Sequence, residues 1–131
     1  MSAERLRLAL IGDPVAHSRS PALFAEFFAS ERIEGSYAAL RVPAGEGAAA
    51  IARLRAEGYD GLNVTTPLKE EAFASAALRD SSALAARAAN VLVLGEQIAA
   101  HNSDGIGALG ALAAAGLVDL IGKHVLVLGA G

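Results

Sequence analysis

Three short stretches carry residues whose types and spacing allow chemistry on a small oxygenated ligand. Ser18-Arg19-Ser20-Pro21 places two hydroxyl donors where a proline opens a helix. A ligand carboxylate there would meet both hydroxyls, unpaired backbone N–H groups and the positive end of the helix dipole. The plainer alternative has Ser20 as N-cap, Pro21 as the first helical residue and Ser18 facing solvent. Asn63-Val64-Thr65-Thr66-Pro67-Leu68-Lys69 delivers polar side chains at a strand end, where ligands of α/β folds sit. Of the 11 lysines and arginines only Lys69 and Lys123 are lysine. An ammonium can lose its proton when desolvated and a guanidinium effectively cannot, so lysine suits proton transfer. A solvated Lys69 pairing with Glu70 or Asp60 is the competing reading. Asn102-Ser103-Asp104-Gly105 sets one carboxylate, Asp104, at a helix start, which an Asx cap would also explain. Asn90 by itself reads as a turn residue. The histidines receive no role, although His17 precedes the serine pair and could line its pocket.

A fourth signal closes the chain. Gly129-Ala130-Gly131 directly follows the apolar run His124–Leu128, as the first glycines of a G-x-G-x-x-G phosphate turn follow their strand. A plain glycine-rich turn is the alternative.

These groups need a frame, and the apolar pattern supplies one. Short apolar runs alternate with longer alanine-rich stretches, the signature of strands connected by helices in an α/β domain. Strands are expected at residues 6–11, 36–42, 61–64, 90–94, 98–100 and 124–128. Helices are expected from Ser20-Pro21 with Leu23, Phe24, Phe27 and Phe28 as the buried stripe, over 46–57 with Ile51 and Leu54 inward, and over about 68–77. Two more should follow Asp80-Ser81 and Asp104, the last stopping near Gly116. The expected fold is an open, mixed, mostly parallel sheet flanked by helices, followed by the first strand and glycine turn of a Rossmann domain. The boundary falls between residues 1–120 and 121–131.

Composition narrows the function. A chain of 131 residues that is 53% hydrophobic can fill one core, yet aromatics are only 5%, so alanine-rich helices must lie close on the sheet. The formal net charge of −3, with no long basic run, argues against nucleic acid. With no cysteine and three scattered histidines, neither a thiolate nucleophile nor a metal cluster is expected. No apolar segment approaches membrane-spanning length and no signal peptide is recognisable, so a cytoplasmic protein with a small-molecule substrate is the expectation.

Taken in order, S-R-S-P, N-V-T-T-P-L-K, N-S-D-G and the terminal G-A-G resemble the shikimate dehydrogenase family over essentially the whole chain. The resemblance implies an N-terminal domain that holds the substrate and a Rossmann domain that holds NADP. The reaction implied is the reversible reduction of 3-dehydroshikimate to shikimate with NADPH, a step of aromatic amino acid biosynthesis. Carried over by motif, Ser18, Ser20 and Thr65 would bind the substrate carboxylate, and Lys69 with Asp104 would form the catalytic acid/base centre. Asn90 would bind a ring hydroxyl beside that pair, and Gly129, Ala130 and Gly131 would begin the cofactor turn. The resemblance implies that most of the cofactor domain would lie beyond Gly131, so the chain by itself is expected not to transfer hydride, and its last strand to be poorly ordered or paired with another chain.

The chain departs from the family pattern at named places. Phe24-Ala25 stands where His-Asn is usual, Arg87-Ala88-Ala89-Asn90-Val91 where the family has G-A-x-N-T, and Ser103 where it has threonine. Two other functions fit the same residues: a quinate/shikimate dehydrogenase with relaxed cofactor use, and a shikimate-binding module without turnover.

Overall fold

The computed structural model describes residues 5–129. Short apolar runs become strands and the alanine-rich stretches between them helices, in the order β1 (Leu6–Gly12), α1 (Ser20–Glu31), β2 (Gly35–Arg41), α2 (Gly47–Ala56), β3 (Gly61–Val64), α3 (Lys69–Ser75), β4 (Leu78–Arg79), α4 (Ser81–Ala86), β5 (Val91–Leu94), β6 (Ile98–His101) and α5 (Asp104–Ala114). The strands form one sheet in the order β2-β1-β3-β5-β6-β4. The pairs β1/β2, β1/β3 and β4/β6 are parallel, and β3/β5 and β5/β6 antiparallel. The expected α/β class with a mixed, mostly parallel sheet is what the chain adopts.

Register explains the composition. Ala38, Ala9, Leu62, Leu92 and Ala100 stand side by side across five strands and so share one sheet face. Ile51 and Leu54 of α2, Leu68, Ala72 of α3 and Ala83 of α4 pack onto that face, each fully buried. Alanines in this row and in the helices let backbone layers approach closely, which is how a core poor in aromatics fills its volume.

The opposite face holds a correction. Of the stripe expected on α1, only Phe28 is buried, while Leu23 is 63% and Phe27 49% exposed. The reason is where the helix sits. Phe28 lies against Gly35, where any Cβ would come within 2.8 Å of the ring, and Phe24 stacks on Tyr37 with centroids 4.2 Å apart. These contacts hold α1 over β2 and leave the β3/β5 half of the face open. There, Leu8, Phe24, Gly61, Val91 and Val93 line an apolar hollow of about 350 Å³.

Two further differences concern strands. The helix expected to run to Ala77 ends at Ser75, because the Ala77 N–H donates to Ile98 O (3.0 Å) and draws the chain into the short strand β4 beside β6. Residues 124–128, expected as a strand, form none. A strand needs a ladder partner, and among the described residues none lies beside them; Leu126 and Leu128 are more than four-fifths exposed. Gly129 has φ +79, which suits a glycine turn, whereas Ala130 and Gly131 of the expected cofactor turn lie outside the described residues.

Strand direction positions the site. The loops leaving β1, β3 and β6 emerge at one edge of the sheet, and because β5 runs antiparallel to β3 and β6, its beginning lies at that same edge. The serine pair follows β1, Thr65 and Lys69 follow β3, Asn90 precedes β5, and Asp104 follows β6. One edge therefore gathers residues up to 86 positions apart, Ser18 to Asp104.

Candidate active site

Lys69 is the first residue of α3 and Asp104 the first of α5, and the Lys69 Nζ donates to Asp104 Oδ2 at 2.6 Å. The alternative partner Asp60 is engaged elsewhere, accepting from the Arg7 backbone N–H at 2.7 Å. The second oxygen of Asp104 is also held: Asn90 Nδ2 donates to Oδ1 at 2.9 Å and to Ser103 Oγ at 2.9 Å. Asn90 Oδ1 in turn accepts from Ser103 N at 3.0 Å, so the amide and the loop grip each other in both directions. Asp104 stands at the N-terminal end of α5. The side chains of Lys69 and Asp104 are 32% and 53% exposed, so the pair is open to a ligand.

The backbone around this cluster is equally constrained. Asn90 N donates to His101 O (3.1 Å) and Val64 N to Asn90 O (2.8 Å), which fixes Asn90 between the ends of β3 and β6. Ala89 N donates to Lys69 O at 2.9 Å. Arg87 ends α4 with φ 49, a left-handed conformation that costs a side-chain-bearing residue about 1 kcal/mol.

The serine stretch differs from expectation in one respect. Arg19 occupies the N-cap, and Ser20 is already the first helical residue. Ser18 does the closing: its Oγ accepts from Ser20 N at 3.2 Å. A hydroxyl has one proton and two lone pairs, so accepting this bond leaves the Ser18 O–H free to donate to a ligand. The Tyr37 pKa is raised chiefly by burial, an effect that the nearby Ser20 hydroxyl partly offsets. Tyr37 O–H donates to Asn63 Oδ1 at 2.9 Å. Thr65 sits against Gly12 so closely that a Cβ on Gly12 would lie 2.3 Å from Thr65 Cγ2 and 2.9 Å from Thr66 O.

Two clusters thus share the sheet edge, one of hydroxyls and one built on an ammonium–carboxylate pair. Among the described residues no hydrogen bond or ion pair joins them. Neither Tyr37 nor Asn63 drew a role from the sequence. Asn63 did carry a signal, since an asparagine inside the apolar strand Gly61–Val64 needs a polar partner. His17 is exposed, and among the described residues no group of side chains could hold a metal ion.

Behind the loop carrying Asp104 lies a third cluster. Asp80 caps α4, accepting from Ser82 Oγ (2.5 Å) and Ala83 N (2.9 Å) through one oxygen, and meets His101 Nδ1 at 2.7 Å through the other. The Ser82 hydroxyl first, then the Ala83 N–H and His101, hold the Asp80 carboxyl well below the usual carboxylate range. A depressed folded-state pKa contributes stability that is complete above the unfolded value, about 3.9, and is lost as pH falls through the folded value. Melting temperature followed from pH 6 down to about pH 2 is expected to fall more steeply in the wild type than in Asp80→Asn, whose melting point starts lower. Parallel curves for the two proteins would rule out this role for Asp80.

Comparison with known proteins adds to this geometry. Residues 10–92 match a family model described as the shikimate dehydrogenase substrate binding domain. A shikimate dehydrogenase (NADP(+)) of Xanthomonas campestris pv. campestris is 44% identical over 126 residues, which is 95% of this chain and 44% of that protein. The chain therefore spans less than half the length of the curated relatives it matches. A crystal structure of shikimate 5-dehydrogenase from Thermus thermophilus in complex with NADP(H) and shikimate is 38% identical with a TM-score of 0.78, over 85% of this chain and 42% of that one. The ligand-free 5-ketofructose reductase of Gluconobacter sp. strain CHM43 has a TM-score of 0.83 at 26% identity, over 97% of this chain and 46% of that one.

Proposed function

Because the chain belongs to the shikimate dehydrogenase substrate-binding domain family, we propose that it holds the ring of 3-dehydroshikimate or shikimate for an NADP-dependent shikimate dehydrogenase. Residues 1–120 are the substrate-binding unit and 121–131 the opening of a dinucleotide-binding domain. The observation that carries this reading is the 2.6 Å approach of Lys69 Nζ to Asp104, with Asn90 on the second carboxylate oxygen.

The residues divide the work by chemistry. Ser18, Ser20 and Thr65 bind the ring carboxylate: Ser18 keeps a free O–H, and the start of α1 contributes its positive end. Lys69, Asn90 and Asp104 bind the hydroxyl or ketone oxygen at the other end, so the ring is fixed at two points. The nicotinamide, when bound, supplies or accepts hydride at that carbon. Reduction leaves charge on the ketone oxygen, and Lys69 donates a proton to it; in the reverse direction Lys69 accepts that proton. Asp104 keeps the ammonium aimed, and Asn90 keeps Asp104 aimed. Of the cofactor turn, Gly129 is described, and its φ of +79 fits a phosphate-binding glycine. The same reading places the activity in the cytoplasm, where nicotinamide cofactors are available. Among the described residues no helix is long and apolar enough to cross a membrane.

The test is titration of the 131-residue chain with shikimate by calorimetry at millimolar ligand. Weak binding is expected, with Ser18→Ala lowering affinity about tenfold, the worth of a hydrogen bond to a charged group. Methyl shikimate, which lacks the charge, is expected to bind as weakly to wild type as shikimate does to Ser18→Ala. Equal binding of acid and ester would instead favour a neutral ketose such as 5-ketofructose, the substrate named for the Gluconobacter relative.

A further inference from the structure

We infer that Asn102 is a positioning residue for the proton-transfer pair, acting through Asp104 and the segment before Asn90; the inference rests on the assignment of Lys69 and Asp104 given above. Asn102 is 9% exposed and is the one buried polar side chain among the described residues. A buried amide costs stability unless its donors and acceptor are matched, and here they are matched onto the site. Asn102 Oδ1 accepts from Asp104 N at 3.0 Å, and Asn102 Nδ2 donates to Ala88 O at 2.9 Å. Its own N–H donates to Ser82 Oγ at 2.9 Å, and Ser82 is anchored on Asp80.

The placement of these bonds matters more than their number. Ala88 is followed by Ala89, whose N–H donates to Lys69 O, and then by Asn90, whose amide holds Asp104 Oδ1. One buried side chain therefore ties the backbone segment that carries Asn90 to the one that carries Asp104, and the Ala89 N–H joins the first of these to Lys69, while Asn102 bonds none of their functional atoms. Only asparagine suits this position. Aspartate accepts but cannot donate to Ala88 O, and would add a negative charge beside Asp104; glutamine has the same groups one methylene further out. Asn102 acts by fixing where the Asp104 carboxylate points.

The experiment uses this chain joined to a nicotinamide-binding domain, with shikimate as substrate. Asn102→Ala is expected to lower kcat about 10²-fold, the scale of a misplaced catalytic group, with KM for the cofactor unchanged. Asn102→Ser, whose hydroxyl can still accept from Asp104 N but cannot reach Ala88 O, is expected to recover part of the loss. In an Asp104→Asn background, Asn102→Ala is expected to cost no more than about twofold further, because its route of action is already gone. The full loss in that background, or no loss in the wild-type background, overturns the inference. Amide hydrogen exchange on the 131-residue chain reads the brace without turnover. The Asp104 N–H is expected to exchange at least about tenfold faster in Asn102→Ala than in wild type, and equal rates overturn the inference. A joined wild-type protein that does not oxidise shikimate would refute the proposed function, and the exchange result would then decide the brace alone.

Discussion

Lys69→Ala, made in a protein that joins this chain to a nicotinamide-binding domain, is expected to lower turnover of shikimate by about 10²–10⁴-fold, the usual worth of a positioned general acid or base. The physical reason is the charge that develops on the substrate oxygen. Hydride adds to the ketone carbon, and the oxygen must gain a proton as its charge grows. Lys69 sits at the start of α3 with its Nζ 2.6 Å from Asp104 Oδ2, so its remaining N–H bonds can turn to the substrate without losing orientation. Lys69→Arg is expected to recover little of the rate, because a guanidinium keeps the charge but does not release a proton near neutral pH. Asp104→Asn, which leaves the ammonium without its carboxylate, is expected to fall in the same range. Steady-state kinetics decides the matter: if Lys69→Ala and Asp104→Asn both keep wild-type kcat, proton transfer does not run through this pair.

Gly12→Ala carries the second large effect, on fold and site together. The added Cβ would stand 2.3 Å from Thr65 Cγ2 and 2.9 Å from Thr66 O. The methyl could rotate away, but the carbonyl belongs to backbone bonded to Asp13 N at 2.9 Å and cannot yield without parting the ends of β1 and β3. Overpacking of this kind costs about 1–3 kcal/mol, measurable as a lower urea midpoint with unchanged slope. The residue displaced is Thr65, so shikimate affinity of the chain is expected to fall beyond detection by calorimetry. An alanine variant with wild-type midpoint and affinity would show that Thr65 can move freely and contributes nothing to the carboxylate site.

The two effects differ in how far the sequence alone reveals them. Lys69 and Asp104 stood out as chemical types, a rare lysine and a carboxylate at a helix start, and the shikimate dehydrogenase resemblance paired them. Gly12 did not stand out, because a glycine between a strand and a loop looks the same whether or not a threonine 53 positions later comes to rest on it. The stretch from Asn102 to Gly105 reads as a local Asx cap, and the bond from Asp104 N to Asn102 Oδ1 is local; the bond of Asn102 to Ala88 O depends on where β5 and β6 lie. The apolar stripe of α1 is less buried than its periodicity implies for a related reason. Periodicity shows which side chains share a helix face but not how much of that face another layer covers, and the sheet beneath α1 is only half covered.

By itself the sequence determined most strands and helices, the α/β class and the chemistry of each motif, because these depend on residues within a few positions of one another: alternation, capping, turn residues and donor types. The tertiary structure decided which motifs meet. Lys69 had Glu70 and Asp60 nearby in sequence as candidate partners, and it bonds Asp104, 35 positions away. That choice follows from strand order and from the reversal of β5, which are set by burying the row of Ala9, Leu62, Leu92 and Ala100 under three helices. Burial of that kind sums over the whole chain, so no local spacing reveals it.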